Sequence, residues 1–143
     1  MASHDLTFGV FVPQGWKMEL ASIDDPRAKW AKALEVAKLA EELGFDSLWL
    51  YDHMYGPGVP DISSLEAWTL ATALLSRTER LRVGHMVLCN TFRHPAVLAK
   101  MATTLDQISN GRLELGIGSG SIEDEHRRLG LPWGSFAERS ERL

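Results

Sequence analysis

Cysteine is nearly absent from this chain of 143 residues, where Cys89 stands alone. One thiol excludes an internal disulfide and any metal site built from several cysteines. Long apolar runs are lacking as well, and none approaches the roughly 20 residues needed to span a bilayer. Basic charge is not in excess: 15 Lys and Arg face 19 Asp and Glu, for a formal net charge of −4. That balance argues against nucleic acid or an anionic membrane surface as the main partner. The polar opening, Met1 to Asp5, shows no signal peptide, so the expected compartment is the cytoplasm. Linkers, charge blocks and low-complexity stretches are missing, and nothing calls for a second domain. What remains, 45% hydrophobic and 24% charged residues, is ordinary for one globular domain over residues 1–143.

Hydrophobic patterning alternates between two periods. Residues 7–12 (TFGVFV) form a β-branched and aromatic run stopped by Pro13, which predicts a buried strand. From Ala28 to Leu43 apolar residues recur at helical spacing, with Trp30, Leu34 and Ala37 in line and Val36, Leu39, Ala40 and Leu43 widening the face. Gly44 sits where a helix end favours a positive φ. A second strand is predicted over 46–51. After a loop with Gly56, Pro57, Gly58 and Pro60, a helix is predicted over 64–76 with Ser63 or Ser64 as its cap. A third strand falls at 82–88, a third helix at 95–108 with Pro95 at its start, and a fourth strand at 112–117 after the Asn110-Gly111 turn. A helical turn follows at 123–129, and a helix begins at Phe136. Strand–helix alternation of this kind predicts a parallel sheet with helical crossovers. A barrel of eight units and about 250 residues averages roughly 31 residues per unit. Two folds fit: about four units of a (β/α)8 barrel, or a small open doubly wound sheet. The helix begun at the carboxyl end favours a truncated barrel, whose open parallel edges invite pairing.

In either fold ligands meet the carboxyl ends of the strands. Asp52 and His53 end the second strand, where a carboxylate and an imidazole can orient a substrate or move a proton; a loop cap explains them equally. Cys89 follows the third strand as a nucleophile without an evident base, or as a small residue near the mouth. Arg93, His94 and Pro95 lead into a helix start, which favours anions, or simply cap it. Asp52, His53, His85 and His94 are ligand types that zinc accepts, but no tight pair such as His-x-His occurs, and no metal site is expected. Gly116, Gly118 and Gly120 alternate after the fourth strand and let backbone approach a ligand closely. The dinucleotide fingerprint is not met, since Ser121 breaks it and the loop closes a fourth strand.

Taken in order, several stretches carry a resemblance: FGVFVP at 8–13, LGFDSLW at 43–49 with Asp52-His53, EAWT at 66–69, TERLRVG at 78–84, TFRHP at 91–95, AKMA at 99–102 and SNGRLELGIG at 109–118. The chain resembles the bacterial luciferase-like family of flavin- and deazaflavin-dependent oxidoreductases, and most closely the members assigned to coenzyme F420. The resemblance implies a (β/α)8 TIM-type barrel of which these are the first four units. It also implies hydride transfer with F420, or FMN as the alternative, at the carboxyl mouth, and a small-molecule substrate. Asp52 would match the acid that contacts the cofactor, and His53 the catalytic histidine beside the substrate. A non-prolyl cis peptide expected in the third strand would fall at Met86-Val87, against the ring. Cys89 and Asn90 would line the same pocket, and Gly118, Ser119, Gly120 and Ser121 the loop along the cofactor. A homo-oligomer, specifically a dimer, is expected. Two departures stand out: Met54-Tyr55-Gly56-Pro57 replaces a tryptophan segment, and Ser121 stands where some members place a catalytic Glu. Two further readings remain, a non-catalytic truncated fragment or dimerisation module and a metal-dependent hydrolase.

Overall fold

The computed structural model describes residues 6–56 and 58–143; the Met1–Asp5 opening and Pro57 lie outside them. Strand β1 (Gly9–Phe11) leads to helix α1 (Pro26–Glu42) and strand β2 (Ser47–Leu50). A hairpin of β3 (Tyr55–Gly56) and β4 (Val59–Ser63) precedes α2 (Ala67–Leu75). Then come β5 (Arg82–His85), β6 (Leu88–Cys89), α3 (Pro95–Ser109), β7 (Leu113–Glu114), β8 (Ile117–Gly118), α4 (Glu123–Leu129) and α5 (Phe136–Glu141). The predicted order therefore holds, with three differences. The third and fourth strands are each interrupted, the hairpin inside the Gly- and Pro-bearing loop was not expected, and the cap of α2 is Glu66. Its carboxylate accepts from the N–H groups of Trp68 (3.0 Å) and Thr69 (2.7 Å), a reach that neither Ser63 nor Ser64 has from farther upstream.

The main sheet runs β1-β2-β5-β7, every pair parallel, with Trp49 opposite Phe11 and Gly84. Beyond the Met86–Val87 peptide, which is cis, β6 pairs with β8 in parallel and carries the ladder onward. The strand order never reverses. Right-handed crossovers then place successive helices on one face, unlike a doubly wound sheet, whose order turns back at a switch point.

That face is the core. Leu48, Leu50 and Val83 are fully buried beneath Ala33, Ala37 and Ala40 of α1, Leu70, Ala71 and Leu74 of α2, and Leu98 and Leu105 of α3. Alanines let α1 approach the sheet closely, so its buried line runs 33–37–40. Leu39 and Leu43, expected to widen that face, are exposed, because they lie off this line. On the opposite face the Trp49 ring covers Gly9 and Gly84. A Cβ at Gly84 would come within 2.5 Å of that ring. Arg82 pairs there with Glu114, and Phe11 stacks on Tyr51 at 4.5 Å.

One polar group in the interior fixes the top of the sheet. Fully buried Gln14 donates from Nε2 to the carbonyls of Tyr51 (2.6 Å) and Leu65 (2.8 Å) and accepts from the Tyr51 N–H (2.9 Å). It staples the loop after β1 to the end of β2 and to the segment entering α2. Among the described residues no helix is long and apolar enough to cross a membrane.

Candidate functional site

At the carboxyl ends of the strands lies a cleft of about 370 Å³. Its walls include Asp52 and His53 after β2, Met86 and Val87 between β5 and β6, Cys89, and the Gly118–Ser121 loop. Nine of the ten residues that the resemblance assigns to the site meet here. Asn90 does not: it lies just past β6, and its Nδ2 donates to the Arg139 carbonyl at 3.0 Å.

Asp52 reaches the cleft wall with its carboxylate already engaged. Arg93 approaches it in a fork, Nη1 to Oδ2 at 2.6 Å and Nη2 to Oδ1 at 2.9 Å, and the Cys89 N–H donates to Oδ2 at 2.8 Å. Arg93 also pairs with Glu66. Burial would lower the guanidinium pKa, but the two carboxylates outweigh it and raise it. Burial likewise pushes Glu66 up, and the Thr69 and Trp68 donors with Arg93 hold it below the usual carboxylate range. The anions that the Arg93 segment attracts are thus the protein's own, and His94 caps α3 by accepting from the Ala96 N–H at 3.3 Å.

His53 stacks on Trp16, centroids 4.3 Å apart and planes 8° from parallel. Its Nδ1 faces Glu125 Oε2 at 2.9 Å, while Glu125 Oε1 accepts from the Met54 N–H at 2.6 Å. Next to Glu125, His126 is also turned inward. Its Nδ1 donates to the Ile122 carbonyl (2.8 Å), which can only accept, so Nε2 is left to accept from the Thr91 hydroxyl. The Cys89 Sγ lies 3.0 Å from Thr91 Oγ1 and 3.5 Å from His126 Nε2. Burial pushes that thiol up despite the Thr91 hydrogen bond, so the nucleophile reading of Cys89 loses its thiolate even though a histidine is nearby.

His85 is not at the mouth. It is fully buried, stacked on Trp68 at 5.3 Å, with neither ring nitrogen in hydrogen-bonding geometry to a partner. Burial lowers its pKa against the pull of Asp52. No group of three or more His, Cys, Asp or Glu among the described residues is placed to hold a metal ion.

The glycine-rich loop packs tightly on the strand beside it. A Cβ at Gly118 would stand 2.5 Å from Val87, and Gly120 holds φ +84° against Cys89. The backbone N–H groups of Ser119, Gly120 and Ser121 have no hydrogen-bond partner among the described residues. Trp16, Lys17, Phe92, Glu125 and His126 also line the cleft. None was anticipated, although Trp16 sits in a loop directly after the first strand, where an aromatic residue is a readable signal.

A parallel α/β sheet with its cleft at the strand carboxyl ends is a frame for ligand binding. The chain belongs to the luciferase-like monooxygenase family, whose model matches residues 6–143. It is 41% identical over 118 residues to an F420-dependent glucose-6-phosphate dehydrogenase of Amycolatopsis mediterranei strain U-32, covering 77% of this chain and 33% of that protein. It is 36% identical over 108 residues to 4-hydroxyprotoasukamycin monooxygenase of Streptomyces nodosus subsp. asukaensis, covering 76% and 28%. An F420-dependent secondary alcohol dehydrogenase in complex with an F420–acetone adduct superposes with a TM-score of 0.76 at 28% identity, covering 95% of this chain and 38% of that one. The chain thus spans about a third of the length of the curated relatives it matches. The relatives are redox enzymes, and the metal-dependent hydrolase reading has no support among them.

Proposed function

We propose that residues 1–143 form the first four units of a (β/α)8 barrel, and that its cleft holds coenzyme F420, with FMN as the alternative, for hydride transfer with a small-molecule substrate. One observation carries the reading: Met86, Val87, the Gly118–Ser121 loop and His53 wall a single cleft at the strand ends. The residues fit a flat heteroaromatic ring. Met86 and Val87, each about half exposed, offer an apolar surface, and the N–H groups of Ser119, Gly120 and Ser121 are free to donate to ring carbonyls. When bound, the cofactor supplies the site that gains or loses hydride. Met86, Val87 and Trp16 exclude water, and Gly118 to Ser121 hold the ring edge. Asp52 acts on the cofactor site through the Cys89 backbone that it fixes. His53 holds or accepts the substrate proton from its position on the wall.

The exposed Val97 and Ile108 on α3 support association into a homodimer. We place the protein in the cytoplasm, where a single thiol stays reduced.

The test is retention: the purified chain is mixed separately with F420 and FMN, passed through gel filtration, and the protein peak is read for chromophore. F420 in the peak supports the reading, and FMN alone moves it to the flavin alternative. Loss of both overturns it for this chain and leaves the non-catalytic dimerisation module, which sedimentation would then show as a chromophore-free dimer.

A further inference from the structure

Six of the seven residues of helix α4 are polar, and its one apolar residue, Leu129, is exposed, yet the helix is docked by side chains. Glu123 is exposed, and Asp124 pairs along the surface with Arg127 and Arg128. Glu125 points the other way, its side chain 2% exposed, and both of its oxygens meet the segment after β2, some 70 residues away in sequence. The Met54 N–H can only donate, so Oε1 accepts there. An ionised carboxylate has no proton to offer, so Oε2 accepts as well, and the proton in the 2.9 Å contact belongs to His53 Nδ1. Stacking on Trp16 hinders the ring from turning over, and the Ser64 hydroxyl holds the His53 carbonyl at 3.2 Å. His53 Nε2 has no partner among the described residues and belongs to a side chain that lines the cleft.

We infer that Glu125 is a positioning residue: it fixes the neutral His53 ring as the Nδ1–H tautomer, which leaves Nε2 as the acceptor available to a ligand. The two ring nitrogens are chemically distinct, and the bond made by one sets the role of the other. The inference rests on His53 being the proton-handling group of the proposed reaction, and it gives that group a defined direction, acceptor and not donor, in its neutral form.

The experiment reads the tautomer without any cofactor. Uniformly 15N-labelled protein is examined by long-range 1H–15N correlation of the histidine rings in mildly alkaline buffer, with His53 assigned by the resonances lost in His53→Gln. Wild type is expected to show a protonated Nδ1 and a bare Nε2. In Glu125→Gln the Met54 N–H still requires an oxygen, so the amide NH2 group faces Nδ1. The ring must then accept there, and the two nitrogen resonances exchange their protonated and bare signatures. A structural role for Glu125 would not move the proton in this way. A wild-type ring protonated at Nε2 overturns the inference, and so does a folded Glu125→Gln protein with the wild-type tautomer. If Glu125→Gln does not fold, the wild-type spectrum alone decides. A chain that retains neither chromophore yet shows Nδ1–H and the exchange refutes the functional reading while leaving the Glu125–His53 assignment intact.

Discussion

Helices α2 and α4 are held by opposite means. Of the nine residues of α2, six are buried, and all six are apolar. The buried residues of α4 are Glu125 and His126, both polar. Apolar burial is non-directional and contributes stability in proportion to area, whereas hydrogen bonds are directional and contribute little net stability but much placement. The first helix is therefore scaffold, and the second is an arm of the cleft. Stability and site geometry should respond to different residues, and where the two systems meet, a single change should damage both.

They meet at Arg93, so the largest effect is expected from Asp52→Ala. Removing it takes the bidentate partner from a largely buried guanidinium, which keeps only Glu66, and leaves the Cys89 N–H unpaired, at a cost of about 3–5 kcal/mol. Urea unfolding and chromophore retention should both suffer; a loss in one alone would undo the idea that Arg93 joins scaffold and site. Leu74→Ala opens a cavity under α2 and should cost about 2–5 kcal/mol while leaving the His53 ring signals in place. Glu125→Ala reverses that pattern. With the Met54 N–H left without its acceptor, the loss should be about 1–3 kcal/mol, and the amides of α4 should exchange faster while those of α2 do not.

Acid provides the next contrast. Burial depresses His85 in the folded state, so the unfolded chain binds more protons as pH falls below the ordinary imidazole value of about 6.5. Stability is full above that value and declines as pH falls toward the lower folded pKa. His85→Phe, which keeps a ring against Trp68, should flatten the stability profile over that window; an unchanged slope would remove His85 from the explanation. The smallest effect is expected at α5, where Ser135 and Glu138 form a capping box. Ser135→Ala should cost about 1 kcal/mol in denaturant and leave the His53 ring signals unchanged.

The same contrast explains what the sequence made readable. Strands and packed helices announce themselves by period, which is why 46–51 and 95–108 were anticipated close to their observed limits. The interruption at 115–116 left no mark in the pattern, whereas the one at 86–87 falls on the cis peptide that the resemblance placed at Met86–Val87. Asp52, His53 and the glycine loop were legible from their place after strands. Glu125 and His126 were not, since EDEHRRL reads as a solvated turn and only the folded chain shows which two residues face inward. Their partners, His53 and Thr91, lie 72 and 35 residues away. Asn90 failed because its amide is taken by the Arg139 carbonyl, 49 residues away in sequence, a contact that no local pattern announces.

The Gln14 amide has a consequence for affinity. A loop that bears Trp16 and Lys17 would ordinarily lose its freedom when a ligand arrives, and that loss would weaken binding. Three hydrogen bonds inside the protein remove the freedom beforehand, when the chain folds. A residue buried behind the wall thereby lowers the backbone-ordering cost that any ligand of this cleft would meet.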